Sequence, residues 1–282
     1  MPSGSTCSLP DGIDYHCHIL PGVDDGFQDP EKSLEQLRIY EASGIREVWF
    51  TPHIMEDVPN EPEDLRRVFE DFKEKYLQDF AQRHPGSQAS GAEGAKPSSA
   101  TDEEPLQLHL AAENMLDALF ERRLKAGNLL PLAEKYLLVE TSIFAPPMNF
   151  RGLLERIRNK GYTPILAHPE RYLYMKKEDY EALKAQGILF QRNLYSLRGL
   201  YGDRVQKRCR QLLKWQMYDF VGTDLHRLTS AGLNTEGCCY GSENGDDEID
   251  DLLDGFFFHE HGKIEMNKLG DKDEPGLADI LS

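Results

Sequence analysis

Basic residues are scarce in this chain of 282: 32 Lys and Arg stand against 49 Asp and Glu, a formal net charge of -17 at pH 7. Such a surface repels nucleic acid and anionic lipid unless a local basic patch intervenes, so no nucleic-acid partner is expected. Bound divalent cations would offset part of the charge, which makes some of the acids candidate ligands. Long apolar runs are missing as well. No stretch approaches membrane-spanning length, and no opening segment joins a basic start to an apolar core. The sequence therefore predicts no membrane insertion and a cytoplasmic location. Cysteine is also sparse. Cys7, Cys17, Cys209, Cys238 and Cys239 form no paired framework, and reduced thiols are expected. Internal repeats are absent.

What the chain does have is alternation. Its length suits one large α/β domain or two small ones. Strand-like runs cover Ile13–His18, Val48–His53, Leu106–Glu113, Leu137–Glu140, Ile165–His168, Ile188–Asn193 and Phe220–Asp224. Helical patterns lie between them at Glu31–Ser43, Glu63–Phe80, Phe150–Lys160, Glu178–Gln186 and Val205–Met217, several stopped by a glycine such as Gly44, Gly161 or Gly187. Repeated strand–helix units predict a parallel sheet, and seven of them predict a barrel or near-barrel. Two segments break the rhythm. His84–Pro105 is rich in Ser, Ala, Gly and Pro and reads as a flexible insertion at 84–105. Thr235–Asp251 reads as a mobile polar loop at 235–251, ahead of a short element around Leu252–Phe258.

The chemistry gathers at strand ends. His16 and His18 are two apart on a strand, so they share a face and can grip one ion; Asp24 and Asp25 follow in a Gly/Pro/Asp turn. His53 closes Thr51-Pro52-His53, Glu113 and Glu140 end the next two strands, and His168 opens His168-Pro169-Glu170-Arg171. Asp224 and His226 lie in Gly222-Thr223-Asp224-Leu225-His226. Singly, each has an ordinary explanation: a buried hydrogen-bonded histidine, or a carboxylate capping the following helix. Jointly they do not, because chance does not place ligand-type side chains at corresponding ends of six strands. In parallel α/β barrels those ends converge on one mouth. Mixed imidazole and carboxylate donors suit Mn²⁺, Fe or Zn²⁺, whereas Ca²⁺ prefers oxygen alone. The candidates, Asp25 included, are too many for one ion and predict two or three, a cluster suited to hydrolysis.

These motifs, together with Ala112-Glu113-Asn114-Met115-Leu116-Asp117 and Val139-Glu140-Thr141, resemble the polymerase-and-histidinol-phosphatase (PHP) superfamily. More closely, they resemble its bacterial protein-tyrosine phosphatase branch, associated with capsular and extracellular polysaccharide synthesis. The resemblance runs from Gly12 to Leu228, interrupted by the insertion. It implies a single domain over 1–282 with a distorted seven-stranded (β/α) barrel and a site usually loaded with Mn²⁺. Its metal ligands fall on His16, His18, Asp25, His53, Glu113, Glu140, His168, Asp224 and His226, and its phosphate-contacting arginine on Arg171. Some members carry a second such arginine beyond the Asp224–His226 motif, where this chain reads Leu228-Thr229-Ser230-Ala231-Gly232; Arg227 is the nearby substitute. His53 and His226 are the candidate proton donors to the leaving group. The implied substrate is phosphotyrosine in a protein, namely a bacterial tyrosine autokinase of polysaccharide synthesis or export. A small metabolite such as histidinol phosphate is the alternative, and an inactive metal-stabilised binding protein the third reading. A cysteine-dependent phosphatase is excluded: the His-Cys-x5-Arg loop that His16 and Cys17 begin has Val23 where it needs arginine.

Overall fold

The computed structural model describes residues 9, 12–85 and 104–228. The core of the 84–105 insertion and the 235–251 loop with its following element lie outside them, as do Cys7, Cys238 and Cys239. Cys17 and Cys209 are buried free thiols. Among the described residues no helix is long and apolar enough to cross a membrane.

Among the described residues there are nine short strands and six α-helices, largely alternating. The strands are β1 Ile13–Cys17, β2 Glu47–Phe50, β3 His53–Ile54, β4 Gln107–Leu110, β5 Glu113–Met115, β6 Tyr136–Glu140, β7 Thr163–Ala167, β8 Leu189–Asn193 and β9 Phe220–Gly222. The helices are α1 Pro30–Ala42, α2 Pro62–Arg83, α3 Ala118–Ala126, α4 Phe150–Asn159, α5 Lys177–Ala185 and α6 Asp203–Lys214. Local chemistry sets several of their ends. Asp29 accepts the Glu31 N–H at the start of α1, with Pro30 pre-set for the first turn. Asp117 caps α3 through the Phe120 N–H, and Gly127 ends it at φ 74, in the left-handed region. Sequence reading missed α3, because only Leu119, Phe120 and Leu124 mark its buried stripe between charged residues.

All the strand pairings are parallel, and two hydrogen-bonded sheets result: β1-β2-β4 and β3-β5-β6-β7-β8-β9. The two expected long strands, Val48–His53 and Leu106–Glu113, are therefore each broken into two. Pro52 has no N–H to give a ladder, and the chain bends there: Thr51 N–H turns to Cys17 O at 2.9 Å, and Ala111 N–H to Phe50 O at 2.8 Å. Beyond the bend β3 pairs with β5, and β5 with β6. At the other margin, Asp224 N–H reaches His16 O at 2.7 Å and His18 N–H reaches Leu225 O at 3.0 Å. The sheet thus curls until the stretch after its last strand adjoins its first.

Alternation sorts the side chains across this curled sheet. On β6, Leu137 and Val139 face the helices and pack with Leu153, Leu154 and Ile157 of α4. Leu138 faces inward with Tyr15, Trp49, Ile165, Ala167 and Phe220. That inner apolar layer fills one end of the curl. Two residues further along β6, on the same inner face, comes Glu140. The polar residues accordingly occupy the C-terminal ends of the strands, above an apolar floor.

Candidate metal and phosphate site

Four donor atoms, from β1 and its exit, from β5 and from the β9 exit, meet at one point. His16 Nε2 and His18 Nε2 lie 3.1 Å apart. Each is 3.3 Å from Glu113 Oε2 and 3.5 Å from Asp224 Oδ1. A second group uses the other lobe: His53 Nδ1 is 3.1 Å from Glu113 Oε2 and 3.2 Å from Glu140 Oε1. His168 Nε2 joins it, 2.9 Å from Glu113 Oε1 and 3.8 Å from Glu140 Oε2. A third group sits at the rim, where Asp25 Oδ1 is 3.5 Å from His53 Nε2 and 3.4 Å from His226 Nε2, with His18 also in reach. All the sequence-predicted ligands are brought together. Asp25 differs from the rest in exposure, its side chain being 71% accessible.

The residues fit divalent ions on three independent grounds. First, an ion bound at about 2.0–2.2 Å by N and O donors holds adjacent donors roughly 3–3.6 Å apart, the spacing found within each group. Second, Glu113 Oε2, Glu140 Oε1 and His53 Nδ1 are buried without a hydrogen-bond partner, which is costly unless something else satisfies them. Third, the imidazoles are pre-aimed. His16 Nδ1–H donates to Gln191 Oε1 at 2.9 Å, His18 Nδ1–H to Asp24 Oδ2 at 2.8 Å, and His226 Nδ1–H to the Asp224 carbonyl at 2.9 Å. Each bond fixes the tautomer and turns a bare Nε2 into the cluster, the usual arrangement behind ligating histidines.

The field of the site points the same way. Burial opposes charge on His16, but Glu113 and Asp224 outweigh it and push the imidazole up to about 9. His18 is likewise raised against its burial by Asp24 and Glu113. Glu113, although wholly buried, is held well below the ordinary carboxylate range by His16 and His53. Asp24 is held down at about 2, its burial outweighed by His18 and by the N–H groups of His53 and Gly26. This cavity draws positive charge to itself.

Close packing keeps the geometry. A Cβ on Gly222 would come within 2.5 Å of His16 Cβ and 3.0 Å of the His16 nitrogen. One on Gly26 would come within 2.2 Å of His18 O. Only glycine fits at either point. Asp14, beneath His16, accepts from Thr223 N–H, Thr223 Oγ1–H and Tyr40 O–H at 2.9, 2.7 and 2.7 Å, tying β1 to the β9 exit. His168 at φ 34 and Asp224 at φ 53 both take left-handed backbone, a strain that packing must hold. We expect Gly222→Ala to displace His16, lowering stability by about 1–3 kcal/mol as overpacking does and reducing bound metal. Thermal unfolding and elemental analysis check both, and an unchanged metal content would refute the close-packing argument.

Above the donors lies a cavity of about 360 Å³ lined by Asp25, His53, Glu140, Asp224 and His226 and by Arg171, Arg227, Tyr201, Met55 and Met115. Arg171 is carried there by a tight turn, its N–H bonded to His168 O at 2.9 Å. Its Nη1 lies 3.4 Å from Asp224 Oδ2, and its guanidinium stacks 5.1 Å from the Tyr201 ring centre. Arg227 lines the same cavity. Sequence reading noted Asp24 beside Asp25 but not its hold on His18, and it missed Gln191 and Tyr201. Gln191 was visible as the residue two before Asn193 on β8. Asn193 itself donates to Asp224 Oδ2 at 2.5 Å, and the Tyr201 hydroxyl donates to the same oxygen at 3.2 Å.

Residues 12–241 match the family described as capsular polysaccharide synthesis, CpsB/CapC. The tyrosine-protein phosphatase YwqE of Bacillus subtilis (strain 168) is 27% identical over 232 residues, covering 81% of this chain and 82% of that protein. The tyrosine-protein phosphatase CpsB of Streptococcus pneumoniae is 28% identical over 226 residues, covering 77% of this chain and 84% of that one. Among solved structures, one from the pair YwqE and CpsB, described as unique metal-dependent tyrosine phosphatases, superposes with a TM-score of 0.64. It is 27% identical and covers 79% of this chain and 81% of its own. The chain belongs to the capsular polysaccharide synthesis CpsB/CapC family.

Proposed function

We propose that this protein is a metal-dependent protein-tyrosine phosphatase that removes phosphate from a tyrosine autokinase of polysaccharide synthesis or export. The observation that carries the reading is a cavity lined by two arginines, Arg171 and Arg227, together with residues of three overlapping donor groups. Relatives named tyrosine-protein phosphatases, aligned over most of both chains, support it. We read the curled sheet as the distorted seven-stranded barrel of the PHP type, with β2 and β3 as one interrupted strand and β4 and β5 as another. The whole forms one phosphatase domain in the cytoplasm.

The nine residues His16, His18, Asp25, His53, Glu113, Glu140, His168, Asp224 and His226 would hold two or three ions, with Mn²⁺ favoured and Fe or Zn²⁺ compatible with the same donors. Such ions would supply Lewis acidity and neutralise charge as water attacks phosphorus and the tyrosyl oxygen departs. The remaining work falls to the chain's own side chains. Arg171 offers paired N–H donors to the non-bridging phosphate oxygens, a charge-assisted and geometrically selective contact. Arg227, which lines the same cavity, offers the second such contact. The tyrosyl oxygen leaves as a phenolate of ordinary pKa about 10, so it needs little protonation. Where a proton is required, His53 or His226 would give it only while its imidazole is not fully committed to an ion. His226 is the more accessible, at 26% against 11% for the His53 side chain.

The test is a side-by-side assay of phosphotyrosine peptide, phosphoserine peptide and histidinol phosphate at equal metal loading. The phosphotyrosine peptide should give the highest kcat/KM, because the site is open at its rim and phenolate is the better leaving group. Faster turnover of histidinol phosphate would replace this reading with the small-metabolite one. No turnover of any of the three by metal-loaded protein would leave a binding protein.

A further inference from the structure

We infer that Met55 and Met115 form an apolar wall that grips the aromatic ring of an aryl phosphate and so determines selectivity at this site. The inference rests on the phosphatase reading and deepens it. Every other residue lining the cavity is a carboxylate, an imidazole, an arginine or a tyrosine; these two methionines are its only aliphatic lining. Their placement follows from sheet register. His53 pairs with Glu113, and Ile54 with Asn114. β3 ends at Ile54 and Met55 pairs back with Val58, while Met115 closes β5; each methionine lies two residues beyond a ligand-type side chain, and both line the cavity. Met115 is also in register with Glu140, whose side chain lines the cavity too.

Two residues of strand span about 6.6 Å, which matches the reach from a phosphate held at the ligand layer to the ring of its aryl ester. A short alkyl phosphate would end below the methionines. Across the sheet order, on the β7–β8 side, stand Arg171 and the Tyr201 ring stacked on it. A phosphoaryl group under Arg171 would thus have its ring between the methionine pair and Tyr201. Thioethers are well suited to that contact, since sulfur is polarisable and favours aromatic neighbours, and the unbranched chain adapts to a ring still attached to a peptide. Both methionines are half-buried rather than sealed in the core, which leaves them available to a ligand.

The probe is a pair of unhydrolysable monoester analogues with a direct C–P bond, phenylphosphonate and methylphosphonate, titrated calorimetrically into the metal-loaded protein. Wild type should bind phenylphosphonate the more tightly. In the double variant Met55→Gln, Met115→Gln, which keeps side-chain length but not apolarity, that preference should fall about tenfold, as polar amides replace apolar surface against the ring. The double variant Met55→Leu, Met115→Leu should restore most of it. Elemental analysis accompanies each variant, so a loss traceable to missing metal is recognised and counts against the wall. A phenyl-to-methyl ratio unchanged by the glutamine pair overturns the inference. Failure of wild type to turn over phosphotyrosine peptide, with the phosphonate preference present and sensitive to the glutamines, would instead remove the protein-phosphatase reading and leave the aryl wall standing.

Discussion

Stripping divalent ions from the purified protein abolishes phosphate release from phosphotyrosine peptide, and adding Mn²⁺ restores it; the untreated protein yields two to three metal equivalents on elemental analysis. This is the expected result, and the reasons lie in the charge of the cavity. Glu113 contributes Oε2 to two donor groups and Oε1 to His168. It has no accessible surface, and one of its oxygens has no hydrogen-bond partner. A carboxylate in that position is tolerable only with a cation or a protonated imidazole against it. Without ions the site must collect protons on His16 and His18; with ions those protons are displaced, which couples metal binding to folding. Loss of metal should therefore lower Tm as well as activity, because a ligand that binds only the folded state stabilises it. His16→Ala and Glu113→Ala should each lower metal content and kcat together. Glu113→Ala should lose more metal, since that side chain serves two groups and His16 one. Full turnover by protein shown to be metal-free would end the hydrolytic mechanism proposed for this site.

How much of this was readable beforehand depends on where each residue sits relative to a regular element. Strand ends were readable: apolar runs locate them, and the ligand-type residues at positions such as Glu140 and Asp224 mark them chemically. The convergence of those ends followed from parallel topology alone. Breaks inside elements were harder. Pro52 signalled the interruption between β2 and β3, but nothing local in Ala111-Ala112 announces the matching break, which follows from pairing with the bent neighbour. The supporting residues were hardest. Gln191 reads as an ordinary strand residue until β8 is placed against β7 and β9, when its amide oxygen meets both His16 Nδ1–H and His168 N–H. Tyr201 lies in a turn after β8 with no motif around it, and only the fold brings its hydroxyl to Asp224. Sequence locality reveals ligands supplied as motifs; it does not reveal the partners that orient them from other strands.

Arg171→Ala should separate phosphate binding from metal binding. Arg171 touches the metal cluster at a single point, Asp224 Oδ2. That oxygen keeps two other donors when the guanidinium is gone, Asn193 Nδ2–H and the Tyr201 hydroxyl. The carboxylate should therefore stay in place, its other oxygen still facing His16 and His18, and metal content should be unchanged. What is lost is the charge-assisted fork over the phosphate, which strengthens as negative charge builds on the non-bridging oxygens. Removing one such donor costs about 2–4 kcal/mol of transition-state stabilisation, or roughly 30- to 1,000-fold in kcat/KM. Arg171→Lys should recover only part of it: lysine keeps the charge but not the paired donors, and its ammonium stacks differently on Tyr201. The measurement is steady-state turnover of phosphotyrosine peptide, with elemental analysis of each variant. Wild-type kcat/KM in Arg171→Ala would show that the arginine is no phosphate clamp, and a parallel fall in bound metal would show that it supports Asp224 instead.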